Sequence, residues 1–184
     1  VLRESLRSHS PAARRYLHHW RERTVRVAAT SVVLSRRFEG FDPEYARIIG
    51  LLHSIAEPVL LGYADRHPDL TDAAALDDVV HSNRAELGRL LLTMWDLPRE
   101  VVEAATLCNH WDYDHPGEPD YTDIMLVAQW HATIGARGRR RPPPCEDVPA
   151  FGRLGFAAAS PELSLQIVES AQEYIDRGNA LLLT

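Results

Sequence analysis

The stretch "NRAELGRLLLTMWDLPREVVEAATLCNHW", residues 83–111, decides the fold. Leu87, Leu90 and Leu91 recur at helical spacing, and Val79 and Val80 carry the stripe back towards Asp72. A helix is therefore expected from about Asp72 to Trp95, with Trp95 closing it against the core. Pro98 then opens a second helix, because a proline's missing N–H is harmless in a first helical turn. That helix carries Val101, Val102, Ala105 and Leu107 up to His110.

The same logic extends outward in both directions. Ser10-Pro11 supplies an N-cap hydroxyl and a first-turn proline, so a helix is expected from there to about Phe38, ended by Gly40. Its stripe is Tyr16, Leu17, Trp20, Thr24, Val27, Ala28, Ser31 and Leu34. Asp42-Pro43 repeats the start signal. Ile48, Ile49, Leu51, Leu52 and Ile55 are apolar almost all round, which predicts a central, buried helix that Pro58 kinks or ends. "DRHPDLTD", 65–72, reads as a loop, and "DYDHPGEPDYTD", 112–123, as an acidic, turn-rich one. Ile124–Ile134 is apolar helix again. Residues 135–147 form an irregular basic, proline-rich connector, and a last helix covers about Pro161 to Leu182, capped by Ser160. No alternating strand pattern or internal repeat occurs. The class is all-α, a compact helical bundle in one domain over residues 1–184.

Composition narrows the class further. The chain is 184 residues and 45% hydrophobic, enough for a core, yet no apolar run reaches the roughly 18 to 20 residues of a membrane span. It begins at Val1 without a signal-peptide pattern, so the expectation is a piece of a soluble, cytoplasmic protein. Cys108 and Cys145 are too few for a disulfide framework. The net charge of −6 is uneven: residues 1–40 hold 9 Arg against 3 Glu, and all 20 basic residues are Arg. An Arg-rich N-terminal helix could meet phosphate or nucleic acid, but a solvated helix face is the preferred reading.

Four fragments in order, "RVAATSVVLSRR", "GLLHSIAEPVLL", residues 83–111 and "IMLVAQWHA", resemble the HDOD family, the HD-related output domains of bacterial signalling proteins. The spacing from Ala85 to Pro98 is the most specific part, and the resemblance covers roughly residues 15–180. It implies a bundle of the HD-domain type, with further helices upstream, most of which this chain is expected to lack. It also implies positions where HD enzymes hold metal with His and Asp, so that a metal-bound water can attack a phosphoester. Those positions fall here on Arg23, His53-Ser54, Arg84, His110 and Gln129, and the usual Lys four residues after the first His of the His-Asp pair is Glu57. A guanidinium cannot ligate a cation. The expectation is a vestigial metal pocket, with no metal and no cofactor. Arg84, with Arg23, would fill the ion's space, and Glu57, Ser54, Gln129 and the two histidines would supply acceptors. Glu57 and Arg84 pointing into solvent is an equally weighted alternative.

Other reactive residues carry blander readings. His18, His19 and His131 are ordinary helix residues, and "HWDYDH", 110–115, is an acidic loop without closed ligand geometry. Cys108 is a structural thiol, and "RGRRR" is a solvated loop without the aromatics of a single-strand binder. The function expected is therefore a non-catalytic signal-transduction module working through protein–protein interaction. Its partners would be signalling proteins or a linked regulatory domain, not nucleic acid or a membrane. The alternatives are a degenerate HD-type phosphohydrolase and a nucleotide or cyclic-dinucleotide binder.

Overall fold

The computed structural model describes residues 10–64, 66, 67, 70, 72–133, 141–156, 166, 167, 169–172, 175 and 176. Among these the chain forms seven helices and no strand. They are α1 (Pro11–Ser35), α2 (Pro43–Leu52), α3 (Ala56–Ala64), α4 (Ala73–Met94), α5 (Arg99–Leu107), α6 (Tyr121–Thr133) and α7 (Pro149–Arg153). A single 3-10 turn, Cys145–Asp147, precedes α7. Helical backbone recurs at residues 166–167, 169–172 and 175–176, and the ends of the expected last helix lie outside the described residues.

The caps form as the sequence dictates. The side chains of Ser10, Asp42 and Asp72 accept from first-turn amides of α1, α2 and α4, which supplies partners to donors that a helix cannot pair internally. Gly40 adopts φ +90 in the turn after α1. The α7 helix, opened by Pro149, was not expected from the sequence; Phe151 and Leu154 bring it into the core.

Two apolar clusters build the interior. The larger joins α6 and the second half of α1 to α5 and α7. The smaller joins Ala13 and Leu17 of α1 to Leu60 and Leu61 of α3 and to Leu76 and Val80 of α4. The buried centre is α6, whose residues 122–129 are all buried. This corrects the expectation for α2. Ile49 is fully buried, but Ile48 and Leu51 are 47% and 41% exposed, because α2 lies against α1 by one face. Gly50 permits that contact: a Cβ there would stand 2.6 Å from Ala28 Cα.

Three further expectations are corrected. Trp95 is 45% exposed and does not close the core. Leu92 and Leu97 face inward on either side of a reversal at Asp96, whose φ is 55, and this turns Trp95 outward. Leu90, expected in the core, is 55% exposed. The break around Pro58 also falls earlier than the proline itself. α2 stops at Leu52, a turn holds His53 to Ile55, and Pro58 sits in the first turn of α3. There its missing N–H costs nothing.

Candidate functional site

The turn between α2 and α3 delivers the polar residues. Trp20, Arg23 and Thr24, one helical turn of α1, face it. Trp20 Nε1 donates to the Ser54 carbonyl at 3.1 Å and to Ser54 Oγ at 2.8 Å. Thr24 Oγ1 lies 3.0 Å from the same hydroxyl. Ser54 is thus a buried connector between helices.

Three residues on, Glu57 is 1% exposed. Arg23 Nη2 donates to both of its oxygens, at 2.6 and 2.5 Å. Arg84 Nη1 approaches Oε1 more distantly, at 4.0 Å. Sequence reasoning placed Arg84 first and Arg23 second; the distances reverse that order. Trp20 and Thr24 were not singled out as site residues. Their signal was positional, since they flank Arg23 on the same face of α1.

His53 is 8% exposed, and its Nδ1 lies 2.7 Å from the Gly50 carbonyl. Burial, then the positive field of Arg23, pushes its pKa down to about 3, against the opposing pulls of that carbonyl and of the adjacent Gln129 side chain. The ring is therefore neutral across the physiological range. Gln129 Nε2 donates to Asn109 Oδ1 at 3.3 Å. Arg23 Nε, His53 Nε2 and Gln129 Oε1 are buried without a hydrogen-bond partner. His110 is exposed and stands on the rim rather than in this cluster.

The cluster opens into a cleft of about 760 Å³ between α4, the end of α5 and the segment before α7. His53 and Arg84 line it, with His81, His110, Trp111 and Arg141 around them. Asp112 and Asp147 also line it and are exposed.

Whether these residues fit a divalent cation can be judged from the donors. The Glu57 carboxylate is spent on Arg23, and Ser54 Oγ on Trp20 and Thr24. Arg84 adds a second positive charge. Of the buried donors, only the neutral Nε2 of His53 offers an imidazole lone pair. A divalent ion needs several convergent lone pairs and some negative charge. This set does not fit one.

A second cluster lies at the α6 and α7 end. Asp123 is fully buried in α6. Its Oδ1 accepts from Arg153 Nε at 3.0 Å and Nη2 at 2.7 Å; its Oδ2 lies 3.1 Å from His115 Nε2 and accepts from the Asp120 amide at 3.1 Å. Arg153 also binds Asp114 and the Tyr113 carbonyl. Donor atoms of His115, Asp120 and Asp123 lie within 4.8 Å of one another, but Arg153 already neutralises the site. Sequence spacing could not reveal this pairing, because Arg153 comes from the unexpected α7.

The remaining candidates are structural. Cys108 is fully buried, burial pushes its thiol up to about 12, and Sγ donates to Ala105 O at 3.2 Å. A thiol so protonated is no nucleophile. His131 is buried with Nδ1 2.8 Å from Val127 O, whereas His18 and His19 pair with Glu22 on the surface. Among the described residues, no helix is long and apolar enough to cross a membrane.

Comparison with known proteins agrees with this architecture. The family model of the HDOD domain matches residues 1–111. Comparison with the curated proteins found no match. Among solved structures, the crystal structure described as "Putative metal-dependent phosphohydrolase from Shewanella amazonensis SB2B" superposes with a TM-score of 0.72 at 18% identity. The likeness covers 95% of this chain and 65% of that one, so the chain spans just under two thirds of its neighbour's length. At that identity the likeness concerns the fold.

Proposed function

Because this chain belongs to the HDOD domain family, we propose that it is a non-catalytic regulatory module, passing a signal through contacts with other proteins or a linked domain in the cytoplasm. One observation carries the reading. Among the described residues, the only carboxylate in the buried cluster around His53, that of Glu57, is held by Arg23 at 2.5–2.6 Å and is not free for a cation. Without an ion to acidify water, the pocket lacks the nucleophile that metal-dependent phosphoester hydrolysis requires. Leu90, Met94 and Trp95 leave apolar side chains 45–72% exposed along the end of α4, which supports a role in contacts.

The test is a phosphomonoesterase and phosphodiesterase assay with manganese or nickel, run beside elemental analysis of the purified protein. The reading expects background hydrolysis and no stoichiometric metal. The rival reading, a degenerate phosphohydrolase, rests on the fold it shares with the Shewanella protein. Metal-dependent turnover that disappears in His53→Gln would establish the rival.

A further inference from the structure

Four formally charged side chains line the cleft: Arg84 of α4, Asp112 after α5, and Arg141 and Asp147 ahead of α7. Two are positive and two negative, yet none pairs with another among the described residues. Arg141, Asp112 and Asp147 have no side-chain partner there at all. Arg84 is the innermost, with its side chain 21% exposed, whereas the other three residues are exposed.

The Arg84 guanidinium is underused. Nη1 lies 4.0 Å from Glu57, whose two oxygens already bind Arg23, and Nη2 lies 3.4 Å from His81 Nδ1. A guanidinium carries more N–H donors than these two long contacts use. None of the Arg84 nitrogens is buried without a partner, as Arg23 Nε is, so its unpaired donors reach the solvent of the cleft. The inner end thus presents an accessible cationic fork, and the mouth presents two free carboxylates. A purely anionic ligand would meet Asp112 and Asp147, and a purely cationic one would meet Arg84 and Arg141. A molecule bearing both signs, set apart along its length, meets neither repulsion. The planar fork of Arg84 matches a carboxylate, and an ammonium supplies donors to the aspartates. A volume of about 760 Å³ suits a small molecule.

We propose that the cleft is a metal-independent site for a small amphoteric molecule, with its carboxylate on Arg84 and its ammonium at the Asp112 and Asp147 end. This inference goes beyond the regulatory role and does not depend on it.

The experiment titrates the full chain at low salt and pH 8, above the ordinary imidazole range. The probes are two length-matched sets: 4-aminobutanoate with succinate and butane-1,4-diamine, and 6-aminohexanoate with adipate and hexane-1,6-diamine. The readout is the set of tryptophan indole N–H signals in NMR, since Trp111 lines the cleft and Trp95 does not. Saturable movement of Trp111 is expected with at least one amino acid, which should bind roughly tenfold tighter than the diacid and the diamine of its length. The preferred length measures the separation of the two charges, and either length supports the site. Arg84→Gln should weaken the amino acid roughly tenfold and leave the diamine as the better ligand. Arg23 still holds Glu57 in that variant, so the fold should survive. Asp112→Asn combined with Asp147→Asn removes two exposed, unpaired carboxylates and should shift the preference the other way, to the diacid. Loss of structure cannot move a preference in opposite directions in two variants. Absence of saturable binding by either amino acid overturns the proposal. So does a diacid or diamine that binds the unaltered chain as tightly as its amino acid, which would mean that one sign of charge governs the cleft. An unchanged order of ligands in both variants would place the binding elsewhere and overturn it as well.

Discussion

Among the described residues two carboxylates, Asp123 and Glu57, are buried, and they are treated differently. Asp123 is surrounded by donors: two Arg153 contacts on one oxygen, His115 and a backbone amide on the other. Glu57 receives a single guanidinium nitrogen on both oxygens, and three neighbouring polar atoms, on Arg23, His53 and Gln129, have no partner. Buried polar groups are normally satisfied, and those left over in a native protein mark strain or function. The Asp123 cluster ties the 112–120 loop to α6 and α7. The Glu57 cluster is incompletely satisfied and borders a cleft. The contrast separates a structural clasp from a site.

The strongest way to break that distinction is Asp123→Asn. It leaves Arg153, only 13% exposed, without its main anion and also weakens the His115 contact. Breaking a buried pair in this way typically costs about 3 to 5 kcal/mol. Chemical denaturation should find a loss of that size, and a loss below about 1 kcal/mol would remove the clasp.

Glu57→Gln should cost less, about 2 to 3 kcal/mol, although Glu57 is as deeply buried. Arg23 and Arg84 are each 21% exposed, so water can take up part of the uncompensated charge. A cost equal to that of Asp123→Asn would mean that the two clusters do the same structural work.

What the sequence disclosed follows the same division. Helix starts were legible because Ser10, Asp42 and Asp72 are local signals, each acting within its own first turn. The positions Arg23, His53, Ser54, Glu57 and Arg84 were legible through the family spacing, and the structure brings them together. The Asp123 clasp was not legible, since its cation lies 30 residues away on a helix of five residues. Burial was misread where apolarity and exposure part company: Ile48, Leu51, Leu90 and Trp95 are apolar, yet nothing in a periodic pattern says which faces neighbouring helices will cover. Gly50 shows the complementary failure. Its value is the 2.6 Å approach to Ala28, a contact invisible until α1 and α2 are packed.

The clusters also differ in the sign of their pH dependence. His53 is depressed from 6.5 to about 3, so the stability it supports is present above pH 6.5 and is lost as pH falls towards 3. The loss should reach roughly 2 kcal/mol by pH 5. His115 is raised: burial pulls it down, but the bond to Asp123 and the nearby Asp120 more than offset that. Its contribution is full below the unfolded pKa and lost as pH rises through the folded one. Denaturation between pH 5 and 8 should show His53→Gln flattening the acid limb and leaving the alkaline one. His131, depressed by burial, adds to the acid limb in both proteins, so the variant's slope shrinks without vanishing. An unchanged acid limb would place the neutral buried imidazole elsewhere.

The smallest expected effect separates the two arginines most sharply. Arg153 is locked by four hydrogen bonds to Asp123, Asp114 and Tyr113, and its removal should be costly. Arg84 touches Glu57 only at 4.0 Å and the exposed His81 at 3.4 Å. Glu57 keeps both of its short bonds from Arg23 when Arg84 is removed. Arg84→Ala should therefore cost below about 1 kcal/mol, the scale of a screened, partly exposed pair. That outcome would place Arg84 outside the stabilising framework, with its charge available to the cleft. A cost of about 3 kcal/mol or more, as for breaking a buried pair, would make Arg84 a second clasp on Glu57 and erase the difference between the two ends of the molecule.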